Sequence, residues 1–260
     1  MPRESTEASH LFIMISTNLI PKRLDVCVME ARGFSRTYAK EVIEAGQVRV
    51  RGRVVTKAGV FVDIADVEIT APDMPFVGRG GLKLAHALSA FCINLSGVEC
   101  LDIGSSTGGF TDCMLKAGAS QVYAVDVGKG QMVEAMRNDA RVCLFEETDI
   151  RDPLLKEKLP PNILFVACDL SFISIGKVLA SIRELIADGG ELVCLIKPQF
   201  ETQRRHLNKR GVVASEKHRS SALENALESF RQNGYIIVAQ TESPITGGDG
   251  NVEYLIHAKI

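Results

Sequence analysis

Leu101-Asp102-Ile103-Gly104-Ser105-Ser106-Thr107-Gly108-Gly109-Phe110 decides the fold. An apolar run that meets a glycine-bounded turn and then resumes at helical spacing reads as strand, tight turn and helix start. Working outward, strand patterns recur over residues 98–103, 122–127, 143–147, 163–168, 191–196, 235–241 and 252–260. Helical patterns lie between them, for example over 110–117, 173–187 and 216–232. Apolar strands separated by helices imply a mainly parallel sheet covered on both faces, an α/β doubly wound fold. A ligand in such a fold belongs at the carboxyl ends of the strands.

The 260 residues are 46% hydrophobic and 24% charged, which excludes wholesale disorder, collagen-like repeats and a disulfide miniprotein. The seven cysteines form no C-x-x-C pair and several stand in apolar stretches, as expected in a reducing cytoplasm. The longest early apolar run, residues 11–15, is too short for a membrane span and lacks the charge order of a signal peptide. Residues 1–21 read as a weakly ordered extension in which Met14 offers an alternative start.

Charge is unevenly spread. Residues 22–57 carry nine bases against four acids, although the whole chain is net −2, so a basic module precedes an acidic body. Leu24, Cys27, Val28 and Ala31 recur at helical spacing before Gly33. Ser35 can cap a second helix that buries Ala39, Val42 and Ile43 and closes at Gly46. Apolar and basic residues then alternate through Val48-Arg49-Val50-Arg51-Gly52-Arg53-Val54, with a tight hairpin turn at Arg51-Gly52 and arginines along one strand face. Arg23-Leu24-Asp25, Ser35-Arg36 and Ala45-Gly46-Gln47-Val48 resemble an S4 RNA-binding domain, with Arg51 where that family commonly has asparagine. The resemblance implies RNA contact through Arg23, Arg36, Lys40, Arg49, Arg51 and Arg53, since phosphate binding needs several bases on one face. Prolines 72 and 75 interrupt the pattern. The expected domains are therefore an S4 module over 22–72, a linker over 73–82 and a body over 83–260.

In the body, Gly104, Gly108 and Gly109 depart from G-x-G-x-x-G, and no G-K-[ST] follows, so neither a dinucleotide nor a nucleoside triphosphate is well served. Asp102, beside the turn, can pair with an ammonium group. Asp126, ending the next strand, can accept from two ribose hydroxyls. An amino-acid head and a ribose without phosphate describe S-adenosylmethionine, and Asp149 at the third strand end is placed for the adenine amino group. Ser105, Ser106 and Thr107 complete the expected cofactor turn.

Three charges follow apolar strands: Asp169 after Val166-Ala167-Cys168, Lys197 after Cys194-Leu195-Ile196, and Glu253 in Asn251-Val252-Glu253-Tyr254. Charges so placed are costly to bury unless paired. With Lys83 at the start of the helix before the first strand, they resemble the lysine-aspartate-lysine-glutamate tetrad of the FtsJ-type ribose 2′-O-methyltransferases. That resemblance implies Lys197 as base or orienting group, Asp169 and Lys83 as its partners, and Glu253 as the group that binds the acceptor ribose or Lys83. No metal is expected.

From about residue 22 to the end, the chain is similar to the TlyA family, in which an S4 domain precedes an FtsJ-like methyltransferase. The resemblance rests on the block over 78–84, the glycine turn extended to Asp112, Asp169-Leu170-Ser171-Phe172, Lys197-Pro198-Gln199-Phe200-Glu201, and residues 243–247 with Asn251-Val252-Glu253. It implies a Rossmann-like class I methyltransferase fold with a mainly parallel seven-stranded sheet behind a small α+β S4 domain. It further implies transfer of methyl groups to a cytidine 2′-hydroxyl of small-subunit, and sometimes large-subunit, ribosomal RNA. Ser105 replaces a more usual alanine, and Asn208-Lys209-Arg210 a more glycine-rich stretch, where Arg204, Arg205, Lys209 and Arg210 can extend the RNA track. Two rivals remain at this level: a non-catalytic RNA-binding or assembly factor, and a membrane-active haemolysin.

Overall fold

The structure is a computed structural model that describes residues 20–260 except Ser35, Pro72 and the side chain of Thr37. The extension up to residue 19 with Met14, the Ser35 cap and Pro72 thus lie outside the described residues. The chain forms two compact units, one built on residues 39–71 with the preceding helix, the other on 72–260.

In the first unit β1 (Lys22–Arg23) pairs antiparallel with β4 (Phe61–Val62), while β3 (Arg53–Val54), β2 (Val48–Val50) and β5 (Val67–Ile69) form a three-stranded sheet. Helices α1 (Leu24–Arg32) and α2 (Arg36–Glu44) bury Leu24, Cys27, Val28, Ala39, Val42 and Ile43, as their spacing predicts, while Ala31, at the same spacing near the end of α1, is exposed. Arg51 and Gly52 both have positive φ, 50° and 73°, as a type I′ hairpin turn requires. The arginine beside the glycine is tied down: its Nε donates to Asp66 Oδ2 at 2.8 Å and its backbone N–H to the Asp66 carbonyl at 3.0 Å. The register corrects one expectation. Arg49 faces Val54 and Val50 faces Arg53, so Arg49 and Arg53 stand on opposite faces of the hairpin. The two-residue turn reverses the chain within the alternation, and arginines spaced by four residues end on different sides.

The second unit is a seven-stranded sheet. Its strands are β6 (Glu99–Ile103), β7 (Gln121–Val125), β8 (Val142–Phe145), β9 (Ile163–Cys168), β10 (Ile186–Ile196), β11 (Ile236–Glu242) and β12 (Tyr254–Lys259), in the order β11-β12-β10-β9-β6-β7-β8. All pairings from β10 to β8 are parallel, and β12 lies antiparallel between β10 and β11. The strand order reverses between β6 and β9, where an open α/β sheet leaves its ligand crevice.

Alternate residues along β6 enter different layers. Leu101 and Ile103 join Val166, Cys194 and the side chains of α7 (Leu179–Arg183) and α9 (Glu216–Gln232). Cys100 packs with Leu84 of α3 (Gly80–Ala90) and Met114 of α4 (Gly109–Lys116). The helical pattern over 173–187 breaks into a 3₁₀ turn (Ile175–Lys177), the short α7 and the start of β10. Its apolar residues, Ile182, Leu185 and Ile186 among them, are all buried in one cluster, so their run does not distinguish helix from strand. Short helices α5 (Glu134–Arg137), α6 (Pro153–Lys158) and α8 (Pro198–Glu201) complete the connections. Among the described residues no helix is long and apolar enough to cross a membrane.

Phe230 of α9 is fully buried against this sheet. Phe230→Ala is expected to lower the stability of the body by about 3–5 kcal/mol, read as an earlier midpoint in urea.

Candidate active site

The glycine turn is dictated by what it must pass. Gly104 has φ 83°, and a Cβ there would collide with the Asp169 carbonyl. Asp169 N–H in turn donates to the Ile103 carbonyl at 2.9 Å, so the end of β6 and the end of β9 are held together at the strand-order reversal. Gly108, with φ 94°, precedes α4, and a Cβ on Gly109 would stand 3.1 Å from Gly81 N. The glycines of residues 78–81 and 108–109 thus let the starts of α3 and α4 meet backbone to backbone.

A cavity of about 530 Å³ opens at this point. Of the residues expected to hold a cofactor, Gly104, Ser106, Asp126 and Asp149 line it. Asp126 accepts the Ser106 N–H at 2.8 Å and the Gly128 N–H at 2.6 Å. Asp149 is gripped by Arg151, whose guanidinium lies 2.6 Å away and holds the carboxyl down at about 2. Arg151, Gln131, Val127 and Ile150 also line the cavity and escaped the sequence reading, which looked at strand-end acids and the residues of the glycine turn. Val127, 70% exposed, directly follows Asp126, a placement that could have flagged it.

Asp102, Ser105, Thr107, Gly108 and Gly109 do not line the cavity. The alternation of β6 sends Asp102 to the α4 side, where it is fully buried and accepts from Thr111 Oγ1 at 2.5 Å. Its Oδ1 has no partner, nor has the buried Ser105 Oγ. Burial first, opposed by the Thr111 hydrogen bond, and then the charges of Asp169 and Asp126 push the Asp102 carboxyl up to about 7. An orphaned buried carboxylate oxygen below the turn and acids at the two following strand ends fit S-adenosylmethionine, a cationic, ribose-bearing group without phosphate. Among the described residues no three metal-ligating side chains cluster.

The four tetrad residues form two ion pairs. Lys83 on α3 bonds Glu253 just before β12, and both are buried, with 9% and 2% of their side chains exposed. Lys197, leaving β10, approaches Asp169 Oδ1 at 2.7 Å. Burial pulls the Lys197 ammonium down, but Asp169 and then Glu253 outweigh it and hold the group above its ordinary value. Of the two roles open to Lys197, base or orienting group, this balance of charges favours the one performed by the ammonium form. Ser171, whose Oγ accepts from Lys197 Nζ at 2.7 Å, is a residue the sequence reading quoted without assigning. Glu201 accepts from Ser174 Oγ at 2.7 Å and Ile175 N at 2.8 Å, fixing the segment that follows Asp169. Phe172 stands 91% exposed on this segment at φ 65°.

In the first unit three of the six proposed RNA-contacting bases are paired with carboxylates. Arg23 grips Asp25 through two nitrogens at 3.0 and 2.9 Å, Lys40 lies 3.6 Å from Glu44, and Arg51 bonds Asp66. Arg36, Arg49 and Arg53 are exposed.

Residues 76–260 match the FtsJ-like methyltransferase family and residues 22–68 the S4 domain. The chain is 41% identical to Hemolysin A of Brachyspira hyodysenteriae, over 86% of this chain and 93% of that one. It is 38% identical to the 16S/23S rRNA (cytidine-2′-O)-methyltransferase TlyA of Mycobacterium tuberculosis, over 85% and 83%. A solved haemolysin-named protein of Streptococcus thermophilus superposes with a TM-score of 0.74 at 35% identity, over 92% and 88%.

The Asp102 site generates a prediction of opposed sign for stability and binding. A carboxyl near 3.8 in the unfolded chain and about 7 in the folded one costs stability as pH rises between those values. Asp102→Asn should therefore stabilise the free protein at pH 8 by roughly 1–4 kcal/mol in thermal or urea unfolding, while weakening S-adenosylmethionine binding in calorimetry.

Proposed function

Because the chain belongs to the FtsJ-like methyltransferase family, with an S4 domain ahead of the catalytic body, we propose that it is an S-adenosylmethionine-dependent ribosomal RNA (cytidine-2′-O)-methyltransferase. The observation that carries the reading is the Lys197–Asp169 ion pair at the rim of the cavity, with Asp169 itself part of the cavity wall. Its work is cytoplasmic and its macromolecular partner is ribosomal RNA or a ribosomal subunit.

When bound, S-adenosylmethionine supplies a methyl group on a positively charged sulfur, an electrophile that needs only a well-placed nucleophile. Gly104 and Ser106 would lend the backbone of the turn, Asp126 would hold the ribose, Asp149 the adenine amino group, and Val127 and Ile150 would offer apolar contact to the adenine. Asp102, buried below the turn, would favour the cationic amino-acid end by giving up its proton when that charge is near. A ribose hydroxyl is a weak nucleophile and attacks only when a lone pair is aimed along the line of transfer. The Lys197 ammonium does the aiming: it donates an N–H to O2′, and Asp169 keeps it charged and fixed. As the new O–C bond forms, the hydroxyl proton becomes acidic and passes to the Asp169 carboxylate, the one member of the ion pair with a lone pair to accept it. Lys83 and Glu253 neutralise one another, and Glu253 also adds to the field that holds Lys197 protonated.

The S4 module supplies affinity through phosphate contacts, which release counterions and make binding salt-dependent. Arg49 and Arg53 are exposed and available at once, whereas Arg23, Lys40 and Arg51 must exchange carboxylates for phosphates. Such a module positions a substrate and leaves its chemistry to the body. The haemolysin names of two relatives are the one finding on the side of a membrane-active reading, and among the described residues no helix is long and apolar enough to cross a membrane. A silent RNA binder would have no need of a buried lysine beside a carboxylate at the rim of a cofactor-sized cavity.

Lys197→Ala should slow methyl transfer to ribosomal subunits about 10²- to 10⁴-fold with near-normal S-adenosylmethionine affinity. With the ammonium as working form, the wild-type single-turnover rate should stay level from pH 8 to about 10. A tenfold rise per pH unit would show that a neutral amine acts instead.

A further inference from the structure

A lysine ammonium has three N–H groups and freely rotates about its last bond, so one carboxylate alone does not aim it. At Lys197 the ammonium meets Asp169 Oδ1 at 2.7 Å on one side and directs an N–H at Ser171 Oγ, also at 2.7 Å, on another. Among the described residues Ser171 has no other side-chain hydrogen bond, and its residue is exposed on the cavity wall. A hydroxyl placed so, two positions after Asp169 and 26 before Lys197, belongs to neither strand end. It is carried by the segment that Glu201 pins through Ser174 and Ile175.

We propose that Ser171 is the positioning residue of Lys197, fixing the rotation of its ammonium so that one N–H is left directed at the acceptor ribose hydroxyl. Asp169 takes one side of the ammonium, Ser171 a second, and the third N–H faces the cavity rim where the acceptor enters. The division of labour is chemical. Asp169 supplies charge, which keeps the group protonated. Ser171 supplies a second direction, and two fixed contacts set the rotation that one would leave free. The hydrogen bond that Ser171 accepts from the charged ammonium is stronger than any it can make with the neutral amine, so it favours the charged form as well. The Ser171 O–H is left over as a donor toward an oxygen of the bound ribose or its phosphate. This inference rests on the methyltransferase reading above and deepens it.

The test uses the full chain, tritiated S-adenosylmethionine and ribosomal subunits from cells lacking the enzyme, with single-turnover rates measured from pH 7 to 11. Ser171→Ala should slow transfer about tenfold to a hundredfold, with KM for S-adenosylmethionine changed much less than kcat and unfolding temperature retained. Its alkaline limb should fall at lower pH than that of the unaltered protein, because the ammonium has lost an acceptor. Ser171→Thr, which keeps the hydroxyl, should restore both rate and limb. In selectively labelled protein the Lys197 ε-carbon resonance should titrate at lower pH in Ser171→Ala, a reading independent of turnover. Wild-type rate and an unmoved limb in Ser171→Ala would overturn the proposal, as would a slowed variant with an unmoved titration that threonine does not rescue. Absence of transfer by the unaltered protein would instead overturn the methyltransferase reading beneath it.

Discussion

A lysine side chain only 12% exposed stays charged only where opposite charge is close, and the geometry around Lys197 follows from meeting that condition. Asp169 lies 2.7 Å away because β9 and β10 run parallel as neighbours and end together. Asp169 can sit there only because residue 104 has no side chain, since a Cβ would meet its carbonyl. The same glycine lets β6 turn sharply enough to open the cavity. One constraint thus couples the glycine turn to the Lys197–Asp169 pair: the cavity proposed for the methyl donor and the pair proposed to aim the acceptor share Asp169. Glu253, from a different part of the chain, enters the same field and is itself neutralised by Lys83. Four charges in two pairs let a body with little exposed polar surface at its centre carry reactive groups without leaving any of them unpaired.

The first unit works on other terms. Its charges are exposed, so their intramolecular pairs are individually weak and readily exchanged for phosphates. Arg51 shows the balance at one position. In a left-handed conformation that glycine or asparagine adopts at less cost, it is stabilised by Asp66, and its side chain remains 79% exposed. A phosphate can replace Asp66 without rearrangement of the turn, because the backbone N–H of Arg51 holds the Asp66 carbonyl independently.

Much of this was legible in the sequence because the relevant signals are local. Period-two and helical patterns found the strands and helices, and the Gly104–Gly109 turn announced the ligand end of the sheet. Two features were not legible, for physical reasons. The side to which Asp102 points depends on the pleat of β6, and a strand-end acid reads the same whether it faces the cavity or α4. The faces of Arg49 and Arg53 depend on hairpin register, which alternation alone does not carry through a turn. The protonation of Lys197 was also beyond sequence, since burial and carboxylates act in opposite directions and only their distances decide the winner. Ser171 stood within a quoted motif, yet its role is visible only once β9 and β10 are side by side.

The central claim is that the body methylates a ribose oxygen, and the position of the methyl group tests it most directly. Subunits from cells lacking the enzyme would be treated with the purified chain and labelled S-adenosylmethionine, and their RNA then hydrolysed completely in alkali. A 2′-O-methyl group blocks attack of its own oxygen on the neighbouring phosphate, so the account predicts that the label survives in one alkali-resistant dinucleotide beginning with cytidine. Label released in single nucleotides, as methylation of a base would give, would contradict it.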